Sequence, residues 1–135
     1  DENAKKAGDF DTAMFVLKSK AGVLIHINNS RRAVYGYDQR VEVFGSKGMF
    51  ISNNQTPTSV ETFTDSSTSS KEPILNFFIE RYVQAYRDQF NHFVECVFNN
   101  KKPSVTFEDG RNALIIANAA YESHKQKKTI DINYE

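Results

Sequence analysis

The sequence predicts an α+β domain: a mostly antiparallel open sheet with two helices packed on one face and the other sheet face used for oligomerisation. Three observations carry this. Short β-compatible runs separated by polar, Gly-containing turns fill the chain up to about Thr64. Beyond Pro73 the apolar period changes from two to about 3.6 residues. A second, Ala-rich helical segment then follows, so strands come first and helices after, which is the order of an α+β layer and not of alternating βα units.

The run from Phe10 to Leu17 is short and apolar, and Lys18 to Gly22 closes it with a polar turn ending in Gly. Val23 to Asn28 is the β-branched return strand. A second hairpin is expected from about Tyr35 to Phe44, turning at Gly45-Ser46-Lys47-Gly48 and returning through Met49 to Ser52, because two glycines flanking two polar residues suit a tight turn. From Ser59 to Thr64, Val60 and Thr62 alternate with Glu61 and Phe63 as in a further strand, and the Ser-rich stretch from Asp65 to Pro73 is expected to be a mobile surface loop.

Leu75, Phe78, Ile79, Tyr82, Val83, Tyr86, Phe90, Phe93, Val94 and Val97 then fall on one stripe, predicting a long amphipathic helix from near Ile74 to near Asn99. At about 1.5 Å per residue it is long enough to cross a sheet. Asn99, Asn100, Lys101, Lys102 and Pro103 stop it. Thr106 with Asp109 has capping-box spacing, with Asp where Glu is the stronger partner. The second helix is expected from about Asp109 to Lys125, its Ala113, Ala117, Ala119 and Ala120 allowing close approach of another element, and Thr129 to Asn133 is expected to close the chain as an edge strand. In the first strand Met14 and Val16 point one way and Phe15 and Leu17 the other. Helices cover one face only, so the second apolar face needs another cover. A second subunit is the simplest candidate, with Phe15 and Leu17 in the contact; a further segment of the same chain is the alternative.

The 135 residues, 39% hydrophobic, provide one domain's core, residues 1–135. Lys+Arg 17 against Asp+Glu 17 leaves no net charge, which argues against nucleic acid or an anionic membrane as partner. Aromatic content of 13%, with 11 Phe, excludes a disordered chain. A single cysteine and no CxxC or HxxxH spacing argue against a disulfide or a structural zinc and for a reducing compartment, so a cytoplasmic location is expected. No run approaches the roughly 18 to 20 apolar residues of a membrane span, and no signal peptide is visible. The chain opens at Asp1 without Met, as expected of a piece of a longer protein.

His26, His92 and His124 are far apart and without a second ligand at metal spacing, so structural roles and no metal are expected. Cys96 reads as a small core or surface residue with no nearby His or basic pair. There is no G-x-S-x-G, P-loop or G-x-G-x-x-G motif, and Asn28 to Arg32 reads as a solvated loop. The unusual segment is Arg31 to Arg40. Tyr35 and Tyr37 are expected on one strand face across Gly36, where the missing side chain lets a ligand or another backbone come close. These phenols, flanked by Arg32, Asp38 and Gln39, offer several hydrogen bonds to a polyhydroxyl ligand, although composition alone favours ordinary sheet packing for both tyrosines.

The order Gly8-Asp-Phe-Asp-Thr-Ala-Met14, then Ile27 to Gly48 containing Tyr35-Gly-Tyr-Asp-Gln-Arg40, then Arg81-Tyr-Val-Gln-Ala-Tyr86 with Phe90 and Phe93, then Pro103 to Leu114 and Ala119 to Ser123, resembles the C-terminal domain of inositol 2-dehydrogenase-like members of the glucose-fructose oxidoreductase family. The resemblance runs from Gly8 to Asn133. It implies an NAD-dependent oxidoreductase in which an N-terminal Rossmann domain binds the cofactor, while this domain supplies one wall of a polyol or sugar site and builds a homo-oligomer. By similarity Tyr37 and Tyr86 approach the polyol, and Tyr35 is a weaker carry-over. The resemblance puts the dinucleotide fingerprint, the Glu-Lys-Pro lysine and the Asp-x-x-x-His acid/base helix upstream of Asp1. It therefore implies no catalytic or cofactor-binding residue in this piece, NAD or NADP binding only in the full-length protein, and an open first edge on the sheet. Two alternatives stay open: a stand-alone, non-catalytic assembly or ligand-binding module, and a dehydrogenase of the same family acting on another sugar.

Overall fold

A computed structural model describes residues 1–134. The order of elements is α1 (Glu2–Ala7), β1 (Thr12–Lys18), β2 (Leu24–Ser30), β3 (Val41–Gly45), β4 (Gly48–Ser52), β5 (Glu61–Thr62), β6 (Ser70–Lys71), α2 (Phe78–Phe98) and α3 (Phe107–Gln126). The α+β class and the succession of hairpins before helices are as the sequence predicts. The single open sheet is not: the strands form three separate two-stranded ladders, β1 with β2, β3 with β4 and β5 with β6. The connecting segments take loop partners instead. In those segments Arg31 N–H bonds to Asp11 O and Tyr37 N–H to Leu75 O, partners that lie outside any ladder.

The chain divides into two compact units, residues 1–14 with 28–87, and residues 15–27 with 88–134. In the first unit, α1 was not visible in the sequence, because six residues burying only Ala4 carry no apolar period. Asp1 caps it, accepting the Asn3 N–H at 2.8 Å, and Gly8 ends it in the left-handed conformation. The hairpin of β3 and β4 turns through Ser46 and Lys47 as expected, with Val43 opposite Phe50 and Phe44 opposite Met49. Both faces of this hairpin are therefore apolar, and Phe44 and Phe50 stand 83% and 78% exposed. Its first strand begins at Val41, so residues 35–40 lie outside any strand. The Ser-rich stretch is a hydrogen-bonded hairpin and not an open loop. Glu61 faces Lys71 across β5 and β6 and pairs with its ammonium at 2.8 Å, while Ser69 and Lys71 both hold the Glu61 carboxylate.

The long helix α2 starts at Phe78 and not near Ile74. Leu75 donates its N–H to Gln55 O and accepts from Tyr37, each at 2.9 Å, which keeps the approach extended. Glu80 then accepts the Asn76 N–H at 3.1 Å at the helix start. At the other end Asn100 takes a left-handed conformation and Lys101 N–H reaches Cys96 O at 2.9 Å, a C-cap built on Asn.

In the second unit, Ser19 closes the turn of the first hairpin by exchanging bonds with Val23. Along β1, exposed and half-buried residues alternate. Phe15 and Leu17 are the half-buried pair, whereas Met14 and Val16 stand 73% and 69% exposed. The face left open is thus the one opposite to that expected. The capping box of α3 is present, Asp109 Oδ2 accepting both the Thr106 N–H at 2.7 Å and its hydroxyl at 2.8 Å. The terminal stretch from Thr129 to Asn133 forms no strand, having no ladder partner among the described residues. Arg111 holds the tail instead, donating to Tyr134 O at 2.6 Å.

Among the described residues Ala4 and Cys96 are the buried apolar side chains. The accessible surface is 12051 Å², against about 7,200 Å² for a folded monomer of this mass. Met14 and Val16 on β1, Phe44 and Phe50 on the β3–β4 hairpin and Phe90 and Phe93 on α2 are all exposed. No helix among the described residues is long and apolar enough to cross a membrane.

Candidate functional site

The segment from Tyr35 to Arg40 is an irregular turn in the first unit, not a strand, so Tyr35 and Tyr37 do not share a strand face. Gly36 is the pivot. It has φ of 130°, a conformation L-residues avoid, and a Cβ there would lie 2.5 Å from Ile74 Cγ1 and 3.1 Å from Ile74 O. The close neighbour expected at this glycine is therefore Ile74, just ahead of α2.

Asp38 organises the turn. Its carboxylate accepts the Tyr35 hydroxyl at 2.5 Å, Arg40 Nε and Nη2 at 2.8 Å each, and Asn54 Nδ2 at 2.7 Å. Asn54 uses the other end of its amide to accept the Gln39 N–H at 2.8 Å. The Arg40 guanidinium, then Tyr35 and Asn54, hold the Asp38 carboxyl well below the usual carboxylate range, and the same carboxylate pushes the Tyr35 phenol upward. Arg40 and Asp38 form the bidentate geometry that strengthens such a pair.

Tyr37 points its ring to α2. It meets Tyr82 edge-on with centroids 5.8 Å apart, and Phe78 at 6.5 Å. Tyr82 in turn meets Tyr86 edge-on at 6.3 Å, one helical turn further on. Tyr37 and Tyr86, far apart in sequence, thus flank one ring. Tyr82 is half-buried, and desolvation first, then a hydrogen bond with Tyr37, push its phenol upward. Arg81 lies 5.5 Å from the Tyr82 ring centre, a cation–π contact, with its Nε buried and unpartnered. Tyr86 and Tyr35 are 51% and 58% exposed. Tyr37 and Tyr86 each pack on the Tyr82 ring, and Tyr35 is turned to Asp38.

Sequence reasoning missed Tyr82 as the hub, although its spacing of four from Tyr86 was a usable signal. It also missed Asn54, for which no local signal existed. It treated Asp38 as a ligand-facing group, whereas its acceptors are occupied by the protein.

Cys96 does have a histidine neighbour, contrary to expectation. His92, one turn earlier on the same helix, places Nε2 3.6 Å from Cys96 Sγ. That Nε2 accepts the Ser104 N–H at 3.0 Å, so the imidazole fastens the segment leading to α3 onto α2. The Asp-x-x-x-His spacing that the resemblance puts upstream of Asp1 also occurs here, at Asp88 and His92, where the histidine serves as this fastening. Among the described residues no group of three or more His, Cys, Asp or Glu side chains is placed to hold a metal ion.

Residues 1–132 match the family described as the oxidoreductase family, C-terminal alpha/beta domain, and the chain belongs to that family. It is 45% identical over 132 residues to a myo-inositol 2-dehydrogenase of Thermotoga maritima, covering 98% of this chain and 39% of that protein. The crystal structure of a myo-inositol dehydrogenase from Corynebacterium glutamicum superposes with a TM-score of 0.91 at 41% identity, covering 98% of this chain and 40% of that one. A scyllo-inositol dehydrogenase from Lactobacillus casei, solved with NAD(H) and scyllo-inositol bound, gives 0.79 at 26% identity over 92% of this chain and 36% of its own. The chain thus spans about two fifths of the length of these relatives.

The Asp38 cluster has a pH signature. A carboxyl whose folded pKa is depressed adds stability that is present above its unfolded value, about 3.9, and is lost as pH falls toward the folded value. In the full-length protein, urea unfolding of the parent and of Asp38→Asn should show the largest stability gap at neutral pH, narrowing below about pH 4. A gap of constant size from pH 7 to pH 3 contradicts the cluster.

Proposed function

We propose that this chain is the substrate-binding and oligomerisation domain of an NAD-dependent inositol 2-dehydrogenase-like oxidoreductase, in which Tyr37 and Tyr86 present hydroxyls to a polyol. The observation that carries the reading is the placing of both tyrosines against the Tyr82 ring, on one aromatic wall, in a chain similar over 98% of its length to a myo-inositol 2-dehydrogenase. Phenols suit this role, because the ring packs on the apolar C–H face of a cyclitol while the hydroxyl donates to or accepts from an equatorial OH. Tyr35 is the third member. Its proton goes to Asp38, so toward a polyol it offers its oxygen lone pairs.

Within the whole enzyme this domain binds and orients the polyol. The nicotinamide cofactor supplies the hydride acceptor when bound; no residue of this chain is assigned to holding it, because the chain carries no glycine-rich dinucleotide motif. The second role rests on the open face of β1. Val16 on β1 and Leu24 on β2, 69% and 72% exposed, are the apolar side chains that a second copy covers.

In the full-length enzyme Tyr37→Phe should cost about 0.5–1.5 kcal/mol of polyol binding, seen as a raised KM or lowered kcat/KM with cofactor affinity unchanged, and Tyr86→Phe should act in the same direction. Wild-type kinetics in both variants contradict the polyol assignment. Val16→Asp should dissociate the oligomer, since a charge without a partner is then buried in an apolar contact. Analytical ultracentrifugation reads this, and an unchanged sedimentation coefficient contradicts the assigned face.

A further inference from the structure

The residue flanked by the two arms of the turn, Tyr37, has no side-chain anchor of its own within the segment, yet everything around it is tied. Three residues in the run from Tyr35 to Arg40 contribute to one carboxylate cluster: Tyr35 from one side, Arg40 from the other, and Asp38 itself. Asn54 fastens the cluster to the segment after β4 and holds the Gln39 N–H at the same time. Tyr37 N–H is bonded to Leu75 O, and Leu75 N–H to Gln55 O, next in sequence to Asn54. The backbone at Tyr37 is therefore held between Asp38–Asn54 and the approach to α2, and its ring meets Phe78 and Tyr82.

We infer that Asp38, with Asn54, is a positioning residue for the polyol wall: it touches no substrate, and it sets where the Tyr37 hydroxyl stands. This rests on the reading of Tyr37 as a polyol-binding residue. The case for positioning and against direct contact is one of capacity. The carboxylate already accepts four hydrogen bonds at 2.5–2.8 Å, close to the limit of its two oxygens, and its side chain is 14% exposed. A polyol hydroxyl would have to displace a charge-assisted bond to reach it. A chain of well-placed supporting bonds is also what a binding group on an irregular turn requires, because a small displacement of such a group is costly in a site that depends on orientation.

The test is a double-mutant cycle on kcat/KM for the polyol in the full-length enzyme, combining Asp38→Asn with Tyr37→Phe and, separately, Asn54→Ala with Tyr37→Phe. Asp38→Asn alone should raise the polyol KM at least fivefold while leaving the KM for the nicotinamide cofactor within twofold. In the Tyr37→Phe background, where there is no hydroxyl left to misplace, the same change should cost less than half as much on a logarithmic scale. If Asp38→Asn does not fold, the Asn54→Ala cycle, which keeps the Arg40 pair, carries the test with the same expectation. Effects that simply multiply, or a cofactor KM that rises as much as the polyol KM, overturn the positioning role and leave the polyol reading of Tyr37 standing. A silent Tyr37→Phe removes that reading, and this inference with it.

Discussion

One carboxylate ties together the turn on which the candidate site of the first unit depends. Asp38 draws in a phenol, a guanidinium and a carboxamide from both sides of its own turn and from the segment after β4. A lone ion pair at this degree of exposure contributes little. Four converging donors, two of them from one bidentate guanidinium, make a network whose members hold one another in place. The consequences spread outward. The turn cannot extend into a strand, Gly36 must take a backbone conformation that only glycine takes freely, and Ile74 fits into the space a Cβ would fill. Tyr37 then bonds to Leu75, which delays the start of α2 until Phe78. The aromatic wall of Tyr37, Tyr82 and Tyr86 is the last step in that sequence of constraints.

A second constraint acts over the whole chain. Strand alternation normally sorts apolar residues to one face, yet the β3–β4 hairpin is apolar on both, with Val43 and Phe50 on one side and Phe44 and Met49 on the other. On α2, Ile79, Phe90, Phe93 and Val97 are all more than half exposed. At about 25 cal/mol per Å² of apolar surface, each such exposed side chain forgoes the gain that burial would bring. The family supplies the context, since a chain of this length is about two fifths of its relatives.

Patterns local to the chain were legible in the sequence. The glycine-flanked turn at Ser46 and Lys47, the long stripe of α2 and the Thr106–Asp109 cap each depend on residues a few positions apart, and each is found. What depended on distant partners was not legible. Tyr35 to Arg40 carries strand-like composition, and only Asn54 and Leu75, remote in sequence, turn it into an anchored loop. The closing stretch from Thr129 to Asn133 alternates as a strand does, but a strand exists only beside another, and no ladder partner is found for it among the described residues; Arg111 holds Tyr134 just beyond it. On β1 the alternation was visible while its direction was not, because both sets of residues are apolar and the choice between them is made by what packs behind. The tyrosines were reached through family resemblance. Their meeting on Tyr82 was within reach of helical spacing, since Tyr82 and Tyr86 lie four residues apart on one face.

The central claim, that one aromatic wall anchored by Asp38 receives a polyol, is tested most directly by a crystal structure of the full-length protein with the nicotinamide cofactor and myo-inositol. The cyclitol should lie against the Tyr37–Tyr82–Tyr86 wall, with the Tyr37 and Tyr86 hydroxyls about 2.7–3.0 Å from its oxygens and the Asp38 carboxylate still holding Tyr35, Arg40 and Asn54. A cyclitol bound away from both hydroxyls, or one whose oxygen has replaced a protein donor on Asp38, contradicts it.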